Sequence, residues 1–125
     1  MLPLQQAMYQ RLLESSGRQV YDVPPQDAAF PYFVIGDDTA EDIGTKTDHG
    51  DEVLAVIHCW SRAFGLTEAK TMVGEAVEAF TDFQLQVPGF QVKMVNVDFR
   101  SVANDPDAIT RHGIVRLRFK LFQKE

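Results

Sequence analysis

The spacing of apolar residues alternates between a helical and a strand period along the chain, and each change marks an element. Near the start, Leu4, Met8 and Leu12 recur every fourth residue behind Pro3, so a short amphipathic helix is expected to run to about Ser15, where Gly17 stops it. Pro24, Pro25 and Pro31 then break "RQVYDVPPQDAAFP" into a brief extended piece and a turn. "YFVIG", Tyr32 to Gly36, is continuously apolar and reads as a buried strand. Glu52 to Trp60 places Val53, Ala55, Ile57 and Cys59 on one face and Leu54, Val56, His58 and Trp60 on the other; both faces are largely apolar, which predicts a central strand.

A second helix is expected after Thr67, a candidate N-cap, with Leu66, Ala69, Val73, Ala76, Val77 and Phe80 as its buried stripe. "VPGF" is a turn. Beyond it, Lys93, Val95, Val97 and Phe99 alternate with Met94, Asn96, Asp98 and Arg100 in a long strand. "DPDAITRHG" reads as a second polar turn, and the last strand sets Val115, Leu117, Phe119 and Leu121 against Arg116, Arg118 and Lys120. The order predicts an α+β fold: a mainly antiparallel β-sheet with two α-helices packed on one face.

The 125 residues, 45% of them hydrophobic, suit a single domain over 1–125, interrupted by a long acidic loop or hairpin at about 37–51. The net charge of -6 supplies no positive field for nucleic acid or anionic lipid. A single cysteine forms no internal disulfide, the start lacks a signal peptide, and no run of about eighteen apolar residues could span a bilayer, so a cytosolic origin is expected.

Candidate chemistry is sparse. His58 and Cys59 are strand neighbours whose side chains leave on opposite faces, against a thiol nucleophile with its base; Cys59 reads as core and His58 as a structural histidine. The remaining histidines, His49 and His112, fall in expected turns. The acidic run Asp37, Asp38, Glu41, Asp42, Asp48, Asp51 and Glu52 matches no calcium-loop spacing and reads as a solvated loop or a functional acidic surface. No P-loop, dinucleotide or nucleophile-elbow motif is present. No catalytic residue, metal site or cofactor is expected.

Taken together, "VYDVPP", "FPYFVIG", "DEVLAVIHCWSR", "TEAKTMVGEAVEAF" and above all "DPDAITRHGIVRLRF" resemble, in that order, the bacteriophage tail-completion family, also found in phage-like gene transfer particles. The resemblance implies a virion structural protein at the tail-head junction, made in the bacterial cytoplasm and not an enzyme. It implies a homo-oligomeric ring, commonly a hexamer and in some relatives a monomer before assembly, that caps the major tail tube protein and joins the head-tail connector protein. DNA would pass through its channel without specific binding, and no membrane is involved. The acidic run would then reach a neighbour or line the channel. Asp105, Asp107, Thr110, Arg111 and His112 would form a subunit or partner interface, with the Arg111 guanidinium suited to a neighbour's carboxylate. The alternatives are another connector component, such as a stopper or adaptor, or a small cytosolic binding module or enzyme using His58 or His112 as a base.

Overall fold

The computed structural model describes residues 2–124, which form helix α1 (Leu2–Ser16), strands β1 (Gln19–Tyr21), β2 (Tyr32–Asp42) and β3 (Gly50–Ser61), helix α2 (Thr67–Thr81), and strands β4 (Phe90–Asn104) and β5 (Arg111–Gln123). One sheet holds all the strands in the order β1-β2-β3-β5-β4. Its first pair is parallel and the others antiparallel. Both helices lie on one face, and the α+β class with a mainly antiparallel sheet is the one expected.

Alternation creates the core. Val53, Ala55, Ile57 and Cys59 of β3 and Val115, Leu117, Phe119 and Leu121 of β5 point to the helices and are buried. They meet Leu4, Met8 and Leu12 of α1 and Ala69, Met72, Val73, Ala76, Ala79 and Phe80 of α2. Burying a large apolar side chain contributes about 1.5–3 kcal/mol, so this layer supplies most of the drive to fold. Contacts tie this end of the chain to α2: Arg18, just past α1, donates from Nε and Nη2 to the Glu75 carboxylate, and Arg11 Nε in α1 donates to the Ala79 carbonyl at 2.8 Å. Gly17, at φ 69°, ends α1 by donating its N–H to the Leu13 carbonyl at 3.0 Å, a left-handed cap that favours glycine.

Several local expectations are corrected. Thr67 does not cap α2; Leu66 occupies the N-cap with no side-chain bond, and Thr67 already lies in the first turn. The anchor is instead Ser61, fully buried, whose hydroxyl donates to Glu68 at 2.7 Å and accepts the Ala63 N–H. The buried stripe also includes Met72 and Ala79, while Leu66 and Val77 are only half-buried.

In β4 the register against β5 shifts between Val92 and Met94 and again between Val97 and Phe99. These bulges keep Val95 and Val97 on the core side but turn Phe99 to the helix-free face, opposite Arg116, whose guanidinium lies 5.1 Å from its ring centre. Strict alternation had put Phe99 with Val95 and Val97.

At Gly113 of β5 the sheet and α2 leave no room for a side chain: a Cβ there would lie 2.7 Å from Val73 Cγ2 and 3.1 Å from Cys59 Cβ. Gly113→Ala should therefore destabilise by about 1–3 kcal/mol in urea unfolding through overpacking. Val73→Ala, which removes the obstructing methyl groups, should make the double variant less unstable than the summed single effects by about 0.5 kcal/mol or more. Strict additivity would show that Val73 is not the obstacle.

Candidate functional site

Two loops meet at one end of the sheet, 62–66 after β3 and 105–110 before β5. The second is built by Asp107. Its Oδ1 accepts the N–H groups of Ile109 and Thr110 at 2.9 and 2.8 Å, and its Oδ2 accepts the Thr110 hydroxyl at 2.5 Å. These bonds, led by the Thr110 hydroxyl, stabilise the carboxylate and lower its pKa. Asp105 closes the turn through its backbone, donating its N–H to the Thr110 carbonyl at 2.8 Å, while Ala108 adopts a left-handed φ of 64°.

Two arginines join the loops. Arg62 Nε donates to the buried Thr110 hydroxyl oxygen at 3.1 Å, with its guanidinium 4.3 Å from the Phe30 ring centre. Arg111 donates from Nε to the Gly65 carbonyl at 3.2 Å and from Nη1 to the Ala108 carbonyl at 3.1 Å. Of the residues expected at an interface, Asp105, Asp107, Thr110 and Arg111 are thus brought together at one tip, where their polar groups hold the loops in shape. Beside the exposed Arg62 and Asp107, the tip presents two apolar side chains outward: Phe64 is 101% exposed and Ile109 55%.

The turn ends at Thr110, so Arg111 and His112 belong to β5 and not, as expected, to the turn. That moves His112 opposite Trp60 and diagonal to His58 on the helix-free face. The imidazoles meet at 2.8 Å between His58 Nδ1 and His112 Nε2, and Asp37 Oδ2 lies 3.2 Å from His58 Nε2. The Trp60 and His112 rings stack with centroids 3.8 Å apart. Burial first, and then the neighbouring His58, lower the pKa of His112, with Asp105 opposing them. Alternation along β5 back from Leu117 would have placed His112 on this face; reading "RHG" as turn hid it.

Cys59 lies on the other face, and burial pushes its thiol up to about 12, which leaves it un-ionised at neutral pH and remote from either imidazole. The histidine contact links β3 to β5 on the helix-free face.

The acidic segment is a paired hairpin. Asp37 to Asp42 continue β2, Asp51 and Glu52 lie in β3, and 43–49 form the tip. Asp42 Oδ1 accepts the Gly44 N–H at 2.8 Å, and the Asp48 N–H donates to Thr45 Oγ1 at 3.1 Å. Asp38 faces Ala55 across the ladder. Two cross-strand pairs set like charges opposite one another, Glu41 with Glu52 and Asp42 with Asp51. Glu52 is compensated by Arg118, which also grips both oxygens of Asp98 at 3.1 and 2.7 Å. That three-residue network was not foreseen, because the β4 bulges that bring Asp98 near Arg118 leave no mark in the period.

Known proteins resemble this chain in sequence and in fold. The family model described as tail completion protein gp17 matches residues 6–121. The tail completion protein gp17 of Bacillus phage SPP1 is 33% identical over 115 residues, covering 90% of this chain and 83% of that protein. Among solved structures, a chain in the virion of a native gene transfer agent particle superposes with a TM-score of 0.84 at 25% identity, covering 95% of this chain and 94% of that one. The structure of the bacteriophage SPP1 gp17 protein gives 0.55 at 29% identity, covering 93% and 86%.

His112 makes stability depend on pH. Since the folded pKa of His112 lies below its ordinary 6.5, the unfolded chain binds the proton more readily. The stability it contributes is complete above that value and is lost as the pH falls through it toward the folded pKa. The melting temperature of the native chain, scanned from about pH 8 to about pH 5, should fall a few degrees further than that of His112→Gln. Parallel curves would show that this imidazole titrates alike in both states.

Proposed function

The chain belongs to the family of gp17 tail completion proteins, and on that premise we propose that it assembles as a ring, commonly a hexamer, on the end of a tail tube. There it joins the tube to the head connector and leaves a channel for DNA. The observation that carries this reading is the likeness along almost the whole chain, over 6–121 for the family and at a TM-score of 0.84 for a chain within a virion. The role is structural: the imidazoles face each other and Trp60, and the thiol is buried on the opposite side.

A cyclic ring needs two different patches on each subunit, one to give and one to receive. The hairpin of Asp37, Asp38, Glu41, Asp42, Asp48, Asp51 and Glu52 serves as a neighbour contact in this reading. Glu52 is neutralised by Arg118 and Asp37 lies against His58, so its charge suits a specific contact better than a uniform repelling wall. The tip built by Asp105, Asp107, Thr110 and Arg111 presents Phe64 and Ile109, and exposed apolar side chains on such a support suit a partner at the ring's end, while His112 lies apart on the helix-free face.

Negative-stain microscopy of the purified chain mixed with tail tubes from its own particle tests the role. Rings, or density capping one end of the tubes, are expected. A chain that forms no ring and leaves both tube ends bare would reject it. The double variant Phe64→Ser and Ile109→Ser should still fold and form rings but cap tubes about tenfold less, equivalent to about 1.4 kcal/mol; full capping would remove the tip from the junction.

A further inference from the structure

The sheet has two unequal free edges. β1 covers β2 only at Tyr32–Val34, so on the side away from β3 no strand among the described residues pairs with Thr39–Asp42. At the other end β4 runs from Phe90 to Asn104 with β5 on one side and no described strand on the other. Long uncovered edges carry unpaired backbone donors and acceptors and are templates for pairing with another chain.

The strand directions make these edges mutually compatible. β2, β3, β5 and β4 alternate in direction across the sheet, so β4 runs opposite to β2. Setting β4 of one copy beside β2 of the next continues an antiparallel sheet with all copies oriented alike, as a cyclic ring requires. An odd number of long strands would have forced a parallel joint.

The charges match at the same level. Through the successive ladders, Thr39 is level with Leu54, Arg118 and Asn96; Glu41 with Glu52, Lys120 and Met94; and Asp42 with Asp51, Leu121 and Val92. The bulge residue between Val92 and Met94 is Lys93, exposed and anchored only by its ammonium lying 4.2 Å from the Phe122 ring centre. A joint without axial shift brings Lys93 against Glu41 and Asp42 of the next copy, the two acids that face like charges within their own hairpin. Like charges directly opposite destabilise a ladder, and a cation at that level relieves them.

We propose that the Thr39–Asp42 edge of one copy pairs antiparallel with the Val92–Asn96 stretch of β4 in a second copy, with Lys93 bridging to Glu41 and Asp42. This rests on the ring reading and specifies its interface. The hairpin is the giving patch and the bulged edge the receiving one. The helices then lie on one side of the joined sheet, with the face carrying His58, Trp60 and Arg118 on the other.

Cysteine cross-linking tests it on rings formed with tail tubes. Thr39→Cys and Asn96→Cys, on the same face and level, should come within the about 4.4–6.8 Å between Cα atoms that a disulfide spans. Cys59, 0% exposed, will not compete. After oxidation the double variant should run as a ladder of covalent multimers on a non-reducing denaturing gel, and each single variant as monomer. Lys93→Glu should reduce rings about tenfold at low salt, and adding Glu41→Lys and Asp42→Lys should restore them. If rings form but neither this pair nor the shifted pair Glu41→Cys with Asn96→Cys cross-links, the interface is wrong and the ring reading stands. If the native chain forms no rings and caps no tubes, both fall.

Discussion

The register between β3 and β5 is the constraint on which the rest of the molecule depends. It pairs Val53 with Phe119, Ala55 with Leu117 and Ile57 with Val115 on the core side. Side chains alternate strictly, so a slip of one residue would turn Arg116, Arg118 and Lys120 toward α1 and α2 and expose Leu117 and Phe119. Burying those charges without partners is far more costly than any loop could offset. The same register builds the helix-free face. It sets Trp60 beside His112 and Glu52 within reach of Arg118, and it brings Gly113 over Cys59 where Val73 comes closest. Core and surface networks are thus two outcomes of one alignment.

This explains which parts could be read from the chain. The alternations of β3 and β5 and the four-residue step of α1 are direct records of what is buried, so the central strand, the core-facing residues and both helices were legible. A bulge adds a residue without changing composition, so β4 looked like an uninterrupted strand and Phe99 fell on the wrong face. The N-cap of α2 was misplaced because threonine at a helix start is a sound prior, and the actual anchor, Ser61 to Glu68, joins residues on either side of a loop. His112 was hidden because "RHG" has the composition of a turn. Its place depends on Asp107, which closes the turn at Thr110 and returns the next residue to the strand. Contacts between elements depend on register, and register is only partly written in local pattern.

A one-sided sandwich of this size leaves much of its sheet uncovered. The helix-free face is not left as bare hydrocarbon: Leu54 and Val56 lie between the Arg118 network and the His58–His112–Trp60 stack, so charge and stacked rings shield them. Among the described residues the core is covered by α1 and α2 of the same chain, while two sheet edges and the Phe64–Ile109 tip lie at the surface.

The bulges of β4 bear on specificity as well as shape. A flat, apolar fifteen-residue edge would accept almost any extended chain, and natural sheets guard such edges with charge and irregularity. Here the bulge at Lys93 does both. It interrupts the regular spacing of edge donors and acceptors and places a cation there, so a partner must match the interruption and carry acid at one level. The hairpin of β2 and β3 has acids at that level, and the like-charge pairs Glu41–Glu52 and Asp42–Asp51 discourage it from pairing with a second acidic hairpin. In the proposed joint, each edge disfavours its own kind while its charge suits the other. Discrimination of that form favours a head-to-tail joint over a symmetric dimer, and in the proposed ring it needs no large affinity, since every subunit there would make the same contact twice.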